Sequence, residues 1–342
     1  MNIISRKKPF YPVTEVLASY LHLYERYTEL PIQYDDLLKF REGFPVYDRH
    51  GNDSLWKTVM YDSGSRNEIL DGLCSIYSLL KAGGNRKVME HLYVDRVDFC
   101  TFGNSQPFRI RIMNRLNDNF DYFYVKKADA SRIYGLELEH MLSPNRMHFL
   151  VEKNTLIEEH IIGIPGDDFI HSRIERAELN KVRLAKEFVK FNERCFLRLL
   201  GDMRSYNFII SITPDLDDEQ YRIRAMDFDR QSFEGRKNLY LPQFYKDNQP
   251  FVKLCTETMT RETTEQYVRE ERAQMSIRVK AASQRLNKLE YCMSEDTLST
   301  DDKTMSLGRD LSAYHKDNSF LDCRNQGDIL KLHLEKLLVK VG

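Results

Sequence analysis

Two short acidic motifs stand out in this 342-residue chain, Gly201-Asp202-Met203-Arg204-Ser205-Tyr206-Asn207 and Asp227-Phe228-Asp229, the second beginning twenty positions after Asn207. An acid, an amide five positions later and a second acid beyond the next strand are what phosphoryl transfer from ATP requires. The first Asp accepts or orients a hydroxyl proton, while Asn207 and Asp227 hold magnesium on the phosphates. Arg204 can supply positive charge to the transferring group. An acid and an Asn at this spacing recur by chance; their surroundings give them weight. An apolar helical run ending at Leu199-Leu200 delivers the chain to Asp202. An apolar strand, Phe208 to Ile212, leaves Asn207 and returns through Tyr221 to Met226, around an acidic turn at 215–219. The three polar groups therefore converge on one patch, and carboxylates gathered in a cleft are costly unless a cation balances them.

Elements upstream can supply the phosphate contacts. The period changes near residue 93, where Tyr93 to Cys100, Phe108 to Met113 and Tyr122 to Lys126 read as strands. The loop between the first two carries Gly103, Asn104 and Ser105. Gly103 lets backbone approach phosphates and Ser105 adds a hydroxyl donor. Lys126 and Lys127 take opposite faces of the third strand, and one of them faces the cleft. On the helix that follows, from about Asp129 to Leu142, Glu137 shares a face with Ile133 and Met141, with Glu139 the alternative. An inward Glu opposite a strand lysine is the pair that positions ATP phosphates. Backbone groups from Glu159 to Ile161 are placed to bond an adenine base, just before the break at Gly163-Ile164-Pro165-Gly166.

The rest of the chain frames these pieces. Residues 1–90 read as a mainly helical extension, with stripes at Val16, Leu17, Tyr20 and Leu21 and at Leu73, Ile76, Tyr77 and Leu80, stopping at Gly83-Gly84. A helix from about Asn180 to Leu199 precedes Asp202, and a long charged helix spans about Arg261 to Tyr291. Ser294 to Lys303 reads as a flexible loop, and Asp328 caps a last amphipathic helix. The expected class is α+β, with a small antiparallel sheet and one helix at 91–162 and a helical lobe at 163–342. A net charge of −1 argues against nucleic acid or an anionic membrane as partner. The first six residues lack the apolar core of a signal peptide, and no uncharged run approaches membrane-spanning length. Six scattered cysteines fit reduced thiols in a cytoplasmic protein.

Taken together, the pieces resemble the protein-kinase-like fold, closest to its small-molecule branch, the aminoglycoside phosphotransferase and choline kinase group. The likeness covers about residues 93–235 and rests on Gly201-Asp202 through Asn207, the Asp227-Phe228 step and Ile164-Pro165-Gly166. It implies a two-lobed enzyme using ATP and Mg2+, with Lys126 and Glu137 as the phosphate-setting pair and Asp229 as a second metal ligand. It also implies a small-molecule hydroxyl acceptor, while residues 1–90 are free to meet a protein partner. The chain departs from the pattern at Leu200, where the family carries His, and at Asp229, where protein kinases carry Gly. No A-P-E step follows. These departures leave open a catalytically inactive kinase-like module that binds nucleotide or works through protein contacts.

Overall fold

The computed structural model describes residues 8–48, 51–85, 90–102, 105–216 and 218–338. They belong to two compact units, residues 1–130 with 147–160 and residues 131–146 with 161–342.

The first unit is built on one antiparallel sheet. Helix α1 (Glu15–Leu23) starts where the Thr14 hydroxyl accepts the Leu17 N–H at 3.3 Å, and α2 (Tyr34–Leu37) is a single turn. Then come β1 (Glu42–Tyr47), β2 (Asp53–Met60) and α3 (Ser63–Ala82), which ends at Gly83 with φ +56°. The remaining strands are β3 (Leu92–Cys100), β4 (Phe108–Asn114), β5 (Phe120–Lys127), β6 (Phe149–Glu152) and β7 (Thr155–Glu159). Their spatial order is β1-β2-β3-β4-β5-β7-β6. Strand β1 forms one edge. At the other edge, residues 26–28 run beside β6, with Val151 N–H donating to Arg26 O at 2.8 Å and Thr28 N–H to Val151 O at 3.2 Å. The apolar face of α3 (Leu73, Ile76, Tyr77, Leu80) shares one core with Val94, Val97, Ile110 and Phe123.

This corrects the expectation of a helical extension over residues 1–90. Residues 42–60 form a hairpin, and Trp56 and Thr58 pair with Cys100 and Asp98, extending the sheet. The helices beside it complete the same core rather than standing apart. Sequence periodicity missed the hairpin because most of its side chains are exposed or half-buried, so it carries little apolar alternation.

The second unit contains α4 (Ala130–Leu142) from Ser131 onward. It continues with β8 (Ile164–Pro165), α5 (Gly166–Ser172), α6 (Lys181–Arg198), β9 (Phe208–Asp215) and β10 (Asp218–Ala225). Strands β10, β9 and β8 make a three-stranded sheet in that order. Five helices follow: α7 (Gln249–Thr258), α8 (Arg261–Ala281), α9 (Ser283–Glu295), α10 (Asp301–His315) and α11 (Gln326–Leu338). Helix α6 is the central member, burying Leu184, Phe188, Phe191, Cys195 and Phe196 together with the arginines Arg194 and Arg198. The charged run expected as one helix breaks at Ala282 into α8 and α9. The segment expected to be a flexible loop is held instead. Leu298 is buried, Asp296 accepts from Tyr134 Oη, Ser299 donates to Phe233 O at 2.7 Å, and Thr300 caps α10. Its polar residues are partners of buried groups, which composition alone does not reveal. Among the described residues no helix is long and apolar enough to cross a membrane.

Helix α11 is tied to α6 through His333, which is fully buried. Its ring bonds Phe196 O at 3.1 Å on one side and His315 at 3.0 Å on the other. Burial, then the neighbouring His315, outweigh the Phe196 carbonyl and push its imidazole down to about 3. The unfolded chain takes up this proton near pH 6.5, whereas the folded chain does so only near pH 3. Stability from neutral His333 is thus complete above about pH 6.5 and declines as pH falls through this window, by up to about 1.4 kcal/mol per pH unit. Urea unfolding at stepped pH should show that decline, and His333→Gln should flatten it.

Candidate active site

The acid loop begins where α6 ends. Leu199 closes the helix at φ +53° and Asp202 follows at φ +59°, two left-handed residues of which the branched Leu is the costlier. Neighbouring groups hold the turn. Ser232 N–H donates to Leu199 O at 2.9 Å, and the buried Gln231 amide donates to Arg198 O and, at 3.4 Å, to Leu199 O. Leu200, where the resemblance calls for His, is fully buried and bridges Gln231. Gln231 thus supplies polar support from outside the loop, and the sequence reading did not single it out.

Within the loop, Asn207 Nδ2 donates to Asp202 O at 2.8 Å, leaving the carboxamide oxygen as its ligating atom. Asp202 N–H donates to Tyr245 Oη at 2.9 Å, and Asp202 Oδ1 accepts from Arg204 Nε at 2.9 Å. Arg204 also reaches Asp247 at 3.2 Å. Gly166 explains the Ile164-Pro165-Gly166 step. Strand β8 pairs Ile164 and Pro165 with Ile210 and Ile209, which brings Gly166 against the loop. A Cβ at Gly166 would lie 2.5 Å from Ser205 O and 2.5 Å from the Phe208 ring.

The second acidic motif sits at the same end of the β9–β10 hairpin. Ala225 pairs with Phe208, and Met226 N–H donates to Asn207 O at 3.0 Å, so Asp227 emerges beside Asn207. Phe228 is fully buried against Gly135 of α4, where a Cβ would come within 2.9 Å of Phe228 Cβ. That close approach brings Arg132, one turn earlier, onto the acids. Arg132 Nη1 lies 2.8 Å from Asp227 Oδ1 and 2.9 Å from Asp229 Oδ1, and Nη2 donates to Met226 O at 3.2 Å. No feature of the sequence had linked Arg132 to these carboxylates.

Each upstream residue has a partner within its own unit. Lys126, in the first unit, is bound to Glu158 at 2.7 Å; Glu137, in the second, takes a two-pronged bond from Arg285 at 2.7 and 2.9 Å. The alternative Glu139 is buried against Arg198, and its other oxygen accepts from Asn145 Nδ2 at 3.3 Å. Lys127 is exposed, and its ammonium lies over the Phe10 ring at 4.5 Å. Glu158 was legible in principle, since it stands diagonal to Lys126 across paired strands, on the face of its partner Leu156. Glu159 N–H donates to His148 O at 3.2 Å as part of strand pairing. Ile161 and Ser105 are half-buried. Gly103 and Asn104 lie outside the described residues.

Asp227, Asp229 and the Asn207 oxygen form a hard, oxygen-rich donor set of the kind magnesium takes. Among the described residues no cluster of three or more His, Cys, Asp or Glu has metal-holding geometry. The donor set therefore fits the ion in kind, with a guanidinium seated between its two acids.

No family model matches this chain, and no curated protein matches it. Among solved structures it is similar to one described as titin kinase and its flanking domains, at 12% identity and a TM-score of 0.27, over 71% of this chain and 54% of that one. It is also similar to the autoinhibited serine kinase domain of the giant muscle protein titin, at 12% identity and a TM-score of 0.27, over 72% of this chain and 93% of that one. The chain thus spans about half the length of the first structure.

Two substitutions test the architecture of the site. Gly166→Ala should cost about 1–3 kcal/mol in denaturant unfolding, because rigid backbone at Ser205 cannot step aside. Arg285→Met should cost about 1.5–3 kcal/mol by the same measurement, since it removes a two-pronged, charge-assisted bond to the fully buried Glu137 carboxylate.

Proposed function

We propose that this chain is an ATP- and Mg2+-dependent phosphotransferase of protein-kinase-like fold, acting on a hydroxyl group of a small molecule. The observation that carries the reading is the joining of Asp202, Asn207 and Asp227 at one hairpin end, through Asn207 Nδ2 to Asp202 O and Met226 N–H to Asn207 O. The left-handed Asp202 at the loop's tip fits a residue held for use rather than for packing.

The roles follow from the chemistry of each group. Asp202 orients the acceptor hydroxyl and takes its proton, and the Tyr245 hydroxyl on its own N–H helps fix the turn. Asn207, Asp227 and Asp229 would hold Mg2+, which when bound neutralises charge on the phosphates of ATP. Arg204, half-exposed beside Asp202, is placed to meet negative charge from the transferred group once it leaves Asp202 or Asp247. The small-molecule acceptor rests on the resemblance to the aminoglycoside phosphotransferase and choline kinase group.

A specific observation favours a second reading, a kinase-like module without turnover. Arg132 is seated on both acids of the Asp227-Phe228-Asp229 motif, where a metal ion would have to bind.

Melting curves with and without ATP and Mg2+ separate these readings. Ligand at about a hundred times its dissociation constant should stabilise the native chain by about 2.7 kcal/mol, and Asp227→Ala should abolish the shift. An unshifted native chain would sink the nucleotide reading. If binding is seen, ATP turnover should fall roughly 100- to 10,000-fold in Asp202→Ala, as expected on loss of a general base. Binding with no turnover in the native chain selects the second reading.

A further inference from the structure

The cation between the two acids is the most telling feature of the second unit. The Arg132 side chain is 2% exposed, against 35% for Asp227 and 13% for Asp229. Its charge is permanent, because a guanidinium does not deprotonate in proteins. Its geometry is fixed from both ends. The helix carrying it is pressed onto Phe228 at Gly135, and Met226 O accepts from its Nη2. One nitrogen, Nη1, serves both carboxylates, so it occupies the point on which the two acids converge. Asp229 N–H also donates to Asp227 Oδ1 at 3.0 Å, closing the motif on itself around that point.

We propose that Arg132 sets the divalent-metal affinity of this site by competing with the metal for Asp227 and Asp229. The proposal rests on the phosphotransferase reading of residues 201–229. A metal ion bound by both acids requires Arg132 Nη1 to release at least one of them, so the affinity is the difference between two cation–carboxylate interactions. Met226 O gives the displaced guanidinium a backbone partner that does not depend on either acid. The site thus exchanges one cation for another and never leaves its carboxylates bare. A purely structural ion pair would behave differently: removing Arg132 would destabilise the protein and leave metal affinity unmoved.

The test uses the full chain and Mn2+ alone as the probe, with free Mn2+ followed by electron paramagnetic resonance. Arg132→Gln should bind Mn2+ roughly tenfold or more tightly than the native chain, equivalent to about 1.4 kcal/mol. Arg132→Lys keeps the charge but loses the planar fork, and should fall between the two, which separates displacement from simple loss of charge. The melting temperature of Arg132→Gln should drop in metal-free buffer and recover when Mn2+ is added. If Arg132→Gln does not fold, the comparison of Arg132→Lys with the native chain carries the test. Affinity equal to or weaker than native in both variants overturns the proposal. If that equal binding is lost in Asp227→Asn, competition fails while the metal site stands. No Mn2+ binding in any of the three chains overturns both the proposal and the metal reading.

Discussion

A carboxylate removed from water has to be balanced by a cation or given up, and that constraint organises the second unit around its arginines. Glu137 meets Arg285, Glu139 meets Arg198, Glu187 meets Arg194, Glu193 meets Arg272, and Asp227 with Asp229 meets Arg132. The balance differs from pair to pair. Burial works to raise the Glu139 carboxyl, but Arg198, Ser143 and Arg194 outweigh it and hold it below its ordinary value. At Glu193 burial prevails over Arg272 and the carboxyl is raised. The pairs of Glu137, Glu139 and Glu193 join α4 to α9, α4 to α6 and α6 to α8, so the same charges that satisfy burial also fix where α4 lies. The place of Arg132 follows from that.

Helix α6 connects this framework to the acid loop. Its last turn buries Arg198, whose backbone carbonyl takes the Gln231 amide, and the next residue already turns left-handed. The loop is therefore held by groups that come after the hairpin, at positions 230–232, as well as by the helix before it. Gly201 N–H donating to Arg230 O at 3.2 Å belongs to the same clasp. A turn tied at both ends can keep Asp202 in a costly conformation, which a free loop would relax.

Much of the secondary structure was legible because it follows apolar spacing. The strands at 92–127, the helix entering Asp202 and the β9–β10 hairpin all carry buried stripes of the right period. The β1–β2 hairpin escaped notice because its side chains face mostly outward. The hold on residues 296–300 escaped because polar side chains make it through partners far along the chain, Tyr134 and Phe233. The site shows the same division. Asp202, Asn207 and Asp227 share a hairpin end, so local sequence brought them together. The contact of Glu137 with Arg285 is set by tertiary packing: the two lie 148 positions apart, beyond the reach of any local pattern. Arg132 is the clearest case, because its contact with Asp227 depends on the absence of a side chain at Gly135.

The sheet of the first unit ends in two strands with opposite neighbours. At β6 the outer hydrogen-bonding row is already occupied by residues 26–28, so no extended chain can add there without displacing them. At β1 no further strand pairs on the outer side among the described residues, but Pro45 lacks an amide hydrogen and Glu42 places an exposed charge on the strand. The strand is also short, and its register with β2 shifts between Val46 and Tyr47. Exposed Phe44 and Tyr47 would otherwise make this edge adhesive. The hairpin that sequence reading overlooked thus closes the sheet against self-propagation, a protection that a sheet ending at β3 would have lacked.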